Sequence, residues 1–183
     1  WVLTAFAAAR LDPSEDMAGD AGPLIGSMLA AGFTRDAARW AGVVDNGSLG
    51  WALLVLARPQ GQQIGGGQLD DFLSEDASKQ QAKSRMLIAG LAGLGRVSPG
   101  TASDIAEALG IDLQRRSRWT QAIAAAAAGR NQALVVLLAG LGMQGQAWEQ
   151  MTAVHLYHVV RALDQVGLGA EARMIAAEAV ARA

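Results

Sequence analysis

The chain has 183 residues, no cysteine, and 15 basic and 17 acidic residues that give a formal net charge of −2. Hydrophobic residues make up 51% and aromatic residues only 5%, which favours close-packed helices built on small side chains around one full-sized core. The near-neutral charge without a basic run argues against nucleic-acid binding, and the lack of cysteine excludes disulfides, thiolate metal sites and a cysteine nucleophile.

The N-terminal part is predicted to consist of short helices separated by turns. Pro23 suits the first turn of a helix because its backbone nitrogen has no hydrogen to leave unpaired. Thr34 and Ser48 are predicted to cap the two helices that follow. The expected helices cover residues 1–10, 23–31, 34–44 and 48–58.

Residues 60–68, with the sequence QGQQIGGGQ, are the most loop-like part of the chain. We expect a flexible loop or hinge here, inside a single all-α domain that covers residues 1–183. The three glycines do not indicate a phosphate loop, because Asp70 and Asp71 would place negative charge where the phosphate should lie.

The C-terminal part is predicted to consist of helices whose ends are marked by capping residues and glycine. Thr101 is expected to cap one helix, with Asp104 three residues later as in a capping box. Gly129 is expected to end a helix and Asn131 to cap the next one. The expected helices cover residues 69–73, 101–109, 112–128, 132–141, 146–166 and 169–182, with a further long helix from Ser74 or Asp76 to about residue 94.

Three apolar segments resemble one another in sequence. They are LIGSMLAAGF at residues 24–33, LIAGLAGLG at 87–95 and LVVLLAGLG at 134–142. Each predicts an apolar helix, a glycine turn and a second helix. Their spacing is unequal, whereas regular solenoids keep a fixed period. A degenerate repeat and a chance recurrence of glycine-ended helices both remain open.

The last segment, ALDQVGLGAEARMIAAEAVARA, resembles a tetratricopeptide-type helix pair in about 22 residues. The matching positions are Leu163, Gly167, Glu171, Ala172, Ala176 and Ala179. The aromatic positions and the terminal proline of that motif are missing, so the resemblance implies a helical hairpin and no binding residues. The predicted fold is therefore an all-α, irregular α-α superhelix of antiparallel hairpins, with a compact orthogonal helix bundle as the alternative.

His155 and His158, the two histidines of the chain, lie three residues apart on a predicted helix. Such a pair can present two imidazoles to one metal ion, but a site would need a further ligand or acid such as Glu149 or Asp104. His155 also lies in the apolar stripe of its helix, which favours a hydrogen-bonded core histidine. A metal-binding or hydrolytic enzyme using His155 and His158 is retained as an alternative function.

Arg115, Arg116 and Arg118 form a basic cluster beside Trp119. A cluster of this kind can bind an acidic or phosphorylated partner, although the solvated face of a helix is the simpler interpretation. These four residues are our candidate partner-binding residues. The tryptophans at positions 40, 51, 119 and 148 are expected to fill the core between small side chains.

No nucleophile with its base, metal cluster or phosphate loop stands out in the sequence. The predicted function is a non-catalytic scaffold that binds a protein or peptide in a groove between helical hairpins. A self-associating structural domain is a further alternative. No cofactor is predicted, and no membrane span, because the longest apolar runs have about ten residues against the roughly 20 required. The chain begins with Trp1, so we expect the C-terminal part of a larger protein, from either cytoplasm or periplasm.

Overall fold

The computed structural model describes residues 2–59, 62–144 and 151–183. Within these residues the protein is all-α, as predicted, with no strand and with short 3-10 segments at Val2–Thr4, Glu15–Asp20, Arg39–Gly42 and Lys79–Gln81. The described α-helices are α1 (Ala5–Ala8), α2 (Ala21–Ala30), α3 (Thr34–Ala38), α4 (Leu49–Ala57), α5 (Gly66–Glu75), α6 (Ala82–Gly93), α7 (Pro99–Ala108), α8 (Arg118–Ala128), α9 (Gln132–Gly142), α10 (Ala153–Gln165) and α11 (Gly169–Arg182).

Two helices begin at the cap that the sequence predicts. The Ser48 hydroxyl accepts a hydrogen bond from the backbone N–H of Trp51 at 3.2 Å, and Asn131 accepts one from Leu134 at 3.1 Å. These caps satisfy N–H groups that have no partner within the helix. The bounds of α11 also agree with the prediction.

Two predicted caps are wrong. Ser98 caps α7 by accepting from the backbone N–H of Thr101 at 3.1 Å, so Thr101 is already helical. The reason is Pro99, which disfavours the helical conformation in the residue before it and thereby places the cap at Ser98. Thr34 is the first residue of α3 and follows Phe33, which makes no side-chain cap.

Several predicted boundaries also differ from the structure. The long helix predicted up to residue 94 begins only at Ala82, because Asp76 binds Ser78 and Ser84 in a segment in which Gln80 and Gln81 have positive φ angles. The helix predicted at 34–44 is α-helical only to Ala38 and continues as a 3-10 segment.

Helix α8 begins at Arg118 instead of Asp112, because Ser117 and Thr120 form a capping box. Helix α10 begins at Ala153, capped by Thr152, although residues 146–150 of the predicted helix lie outside the described residues. Helix α5 begins at Gly66, so the last three residues of the predicted 60–68 loop are helical. A hinge in that loop remains a prediction.

Helices α6 and α11 form the centre of the packing. Helix α6 packs against α10 and α11, and α11 also packs against α2 and α4. Small residues allow the close approach: a Cβ atom at Gly90 would lie 3.1 Å from Cβ of Ala176, and one at Gly93 would lie 2.9 Å from Cγ1 of Val160. Glycines of α6 therefore allow the close approach of α10 and α11 to this helix.

The tryptophan prediction is confirmed where the structure describes these residues. Trp40 and Trp51 are buried, and Trp119 is partly buried against the core. Trp148 lies outside the described residues.

Contacts within the chain join helices that are close and helices that are distant in sequence. Helices α8 and α9 pack together, as do α10 and α11, so each pair forms a hairpin. Helix α11 also contacts α2, near the other end of the chain. Whether the hairpins form a superhelix or a bundle remains a prediction. In the part of the chain that the structure describes, no helix has the length and apolar character needed to cross a membrane.

Candidate functional site

A groove with a volume of about 1050 Å³ lies between α7, the loop after α7, and α10. Helix α7 contributes one wall, and Tyr157 and Arg161 of α10 contribute the opposite wall. The turn between α6 and α7 closes one end. The groove therefore brings together residues from distant parts of the sequence.

The floor of the groove is apolar and made largely of small side chains. Ala102 and Ala106, one helical turn apart on α7, are buried, and so are Val97 and Leu113. Because alanine side chains are short, the floor leaves space for apolar side chains of a ligand.

Polar side chains surround this floor. The Arg161 guanidinium donates a hydrogen bond to the Tyr157 hydroxyl and lies 5.8 Å from the centre of the Tyr157 ring. Gln114 also reaches the Tyr157 hydroxyl, at 3.5 Å. Glu107 and Asp112 are exposed at the rim and carry negative charge. The rim thus offers hydrogen-bonding groups and charges of both signs.

The loop after α7 has a defined conformation. Gly110 has a φ of +66°, which glycine adopts without steric cost, and Ile111 donates its backbone N–H to Ala106 at 2.8 Å. The Asp112 carboxylate accepts from the backbone N–H of Gln114 at 3.0 Å. These bonds hold Leu113 and Gln114 at the groove before any ligand binds.

None of the four predicted partner-binding residues lines this groove. Arg115 and Arg116 are exposed in the loop before α8, and Arg118 is the first residue of α8, so the three do not share a helix face. Trp119 donates its indole N–H to the backbone carbonyl of Leu138 at 2.9 Å, and its ring packs 4.9 Å from the His155 ring. Trp119 thus joins α8 to α9 and α10. Partner binding by the arginines remains a prediction.

His155 and His158 pack beside Trp119. The Nδ1 atom of His155 lies 2.7 Å from the Thr152 hydroxyl. Burial lowers the pKa of His158, and electrostatic interactions with Arg161 and His155 lower this pKa further, while a hydrogen bond with the Arg115 backbone opposes the shift. Within the described residues no three His, Cys, Asp or Glu side chains are grouped to hold a metal ion. Glu149 lies outside those residues.

A second polar cluster, at Asp76, has a structural role. Its carboxylate accepts hydrogen bonds from the Ser84 hydroxyl at 2.6 Å and from the Ser78 backbone N–H at 2.9 Å. Burial raises the pKa of Asp76, but the hydrogen bonds from Ser78 and Ser84 outweigh burial and hold the pKa below its ordinary value. The cluster fixes the segment before α6, in which Gln80 and Gln81 have positive φ angles.

The groove residues were not predicted from the sequence. The spacing of Ala102 and Ala106 is a signal for a helix face with small residues, but many helices of this chain share it. Arg161 and Gln114 are far apart in the sequence, and no local pattern connects them. No protein-family model, curated protein or solved structure matches the chain significantly.

Proposed function

We propose that the chain is a non-catalytic interaction module that binds a protein or peptide segment in the groove between α7 and α10. The groove itself carries the proposal: an apolar floor inside a polar rim is the usual composition of a binding site, and a volume of about 1050 Å³ is enough for several side chains.

The rim indicates which segments would fit. Glu107 and Asp112 favour a basic side chain on one side of the groove, and Arg161 favours an acidic side chain on the other. The floor of Ala102 and Ala106 favours aliphatic side chains between these two charged side chains of the ligand. A short segment with aliphatic residues between charges of opposite sign is the expected ligand.

Filling the groove tests this function. Ser103 is exposed on α7 and lines the groove, so Ser103→Trp should obstruct it without disturbing the core. Peptides would be selected from a displayed random library against the unaltered protein, and their affinity measured by fluorescence anisotropy. We expect Ser103→Trp to weaken binding by about tenfold or more, equivalent to ~1.4 kcal/mol.

Ala108→Trp is the matched control, because Ala108 is also exposed on α7 but does not line the groove. It should leave the affinity unchanged within about twofold. Equal binding by both variants, or a library that yields no binding peptide, would contradict the proposed function.

The enzymatic alternative with His155 and His158 lacks a supporting observation, since no described cluster of three metal-binding side chains includes these histidines. Metal analysis of the purified protein separates the two functions. A stoichiometric metal that is lost in His155→Ala would favour the enzyme over the interaction module.

A further inference from the structure

Helix α9 has an exposed aliphatic face. Leu137 is 69% exposed, Leu141 54%, Val136 50% and Leu134 40%. The opposite face is buried through Val135 and Ala139. No residue of α9 is charged, so four aliphatic side chains meet the solvent without a polar side chain between them.

The sequence of α9 is typical of a helix that is covered on all sides. Its segment LVVLLAGLG matches LIAGLAGLG in α6, in which Leu87 is fully buried beneath α10 and α11. The corresponding residue of α9 is the exposed Leu134. Contiguous exposed apolar surface of this kind marks a binding surface in a folded protein.

Arginines lie near both ends of α9. Arg130 directly precedes α9, and Arg118 at the start of α8 lies near the end of α9, because the neighbouring Trp119 contacts Leu138 and Gly142. Arg115 and Arg116 precede Arg118 in the same loop. Residues 113–144 contain these four arginines and no acidic residue. No described carboxylate forms an ion pair with any of them.

From these observations we propose that the exposed face of α9 adsorbs to an anionic lipid surface without crossing it. The aliphatic side chains would enter the boundary of the acyl chains, and the arginines at each end would contact the anionic headgroups. This inference concerns a surface separate from the groove and does not depend on the peptide-binding function.

A second copy of the chain and a specific protein partner would each fit this face less well than a lipid surface. A second copy of the chain would bring arginines against arginines, because both ends of α9 carry the same charge, and like charges across an interface oppose association. A specific protein partner usually meets aromatic side chains and hydrogen-bonding groups. The exposed face of α9 has no aromatic side chains and no hydrogen-bonding side chains. A fluid lipid surface does not require them.

Vesicle sedimentation tests the proposal on the whole chain. One set of vesicles contains about seven parts phosphatidylcholine to three parts phosphatidylserine, and the other contains phosphatidylcholine alone. We expect the protein to sediment with the anionic vesicles at least about fivefold more strongly, and the binding to fall as salt is raised.

Two variants separate the aliphatic and electrostatic contributions. Leu137→Asp should reduce binding to anionic vesicles about tenfold or more, because it places a charge among the inserted side chains. Arg115→Gln combined with Arg116→Gln should also reduce it about tenfold or more. The controls are Met174→Asp, at an exposed apolar residue of α11, and Arg10→Gln with Arg35→Gln, at exposed arginines elsewhere.

Circular dichroism should show that all variants keep their helices. The proposal would be overturned if the protein sedimented equally with both vesicle types or with neither. It would also be overturned if the control variants lost as much vesicle binding as the α9 and arginine variants. Light scattering that shows a dimer, with Leu137→Asp monomeric, would assign the face to a second copy instead.

Discussion

Arg96 is the buried charged residue on which the end of α4 depends. Its side chain is 5% exposed, and its guanidinium donates hydrogen bonds to the carbonyls of Val55, Leu56 and Arg58. The last carbonyls of a helix have no partner within the helix, and a cation is favourable at that end. Burial lowers the pKa of Arg96 to about 10, with the positive charge of Arg173 adding to the effect, so Arg96 stays charged at neutral pH.

Replacing Arg96 should therefore destabilise the protein. Arg96→Met keeps most of the side-chain length but leaves these carbonyls without a donor, at a cost of about 1–3 kcal/mol for each unsatisfied buried group. Because the mutation also removes the cost of burying a cation, we expect a net decrease of about 3 kcal/mol in the free energy of unfolding, measured by urea denaturation. Arg35→Met, at an exposed arginine of α3, should change it by no more than ~0.5 kcal/mol. A stable Arg96→Met variant would show that the hydrogen bonds contribute little.

Helices α6 and α9 place similar local sequences in opposite surroundings. Gly93 and Gly140 occupy the same position in the two matching segments. A Cβ atom at Gly93 would lie 2.9 Å from Val160 Cγ1 and 3.1 Å from the backbone oxygen of Tyr157. A Cβ atom at Gly140 would have no atom within 4 Å.

The two glycines should respond oppositely to alanine. Alanine favours a helix over glycine by about 1 kcal/mol, so Gly140→Ala should stabilise the protein by up to that amount. Gly93→Ala should instead destabilise it by ~1–3 kcal/mol, because α6 and α10 must move apart. Thermal unfolding of the two variants side by side measures this difference. If both substitutions changed the thermal stability in the same direction, the close approach of α6 and α10 would be contradicted.

At the scale of the whole molecule, α11 connects helices from both ends of the chain through its contacts with α2, α4, α6 and α10. In a linear array of repeats, the loss of a terminal helix affects only its neighbours. In this protein the loss of α11 would expose buried surface on α2, α4, α6 and α10.

Deleting residues 169–183 should therefore abolish the cooperative unfolding transition of the remaining chain. Near-ultraviolet circular dichroism during urea unfolding would detect this loss, and deleting residues 2–10 should leave a cooperative transition. A truncated protein that still unfolds cooperatively after the loss of α11 would favour a linear array.

Local signals predicted much of this architecture. The apolar but aromatic-poor composition predicted an all-α fold, Ser48 and Asn131 predicted two helix starts, and Gly167, at a φ of +86°, marks the turn before α11. These features depend on interactions between residues three or four positions apart. The prediction was wrong at α8, where a capping box at Ser117 prevailed over Asp112.

The groove could not be predicted in this way. Gln114 and Tyr157 meet there although they are 43 residues apart in sequence. Trp119 has an indole N–H and a ring suited to binding a partner, yet both are used in packing against α9 and α10. Such outcomes depend on how helices pack, and no short segment specifies that packing.

The helical character of the chain and the starts of α4, α9 and α11 follow from the sequence, because capping and helix propensity act within a few residues. Which helix faces are covered depends instead on packing between helices that are distant in the chain. The segments LIAGLAGLG and LVVLLAGLG both predict buried helices, but α10 and α11 cover the first, while the second keeps Leu137 and Leu141 in solvent. Burial depends on neighbouring helices, so similar local sequences form part of the core in α6 and a candidate lipid-binding face in α9.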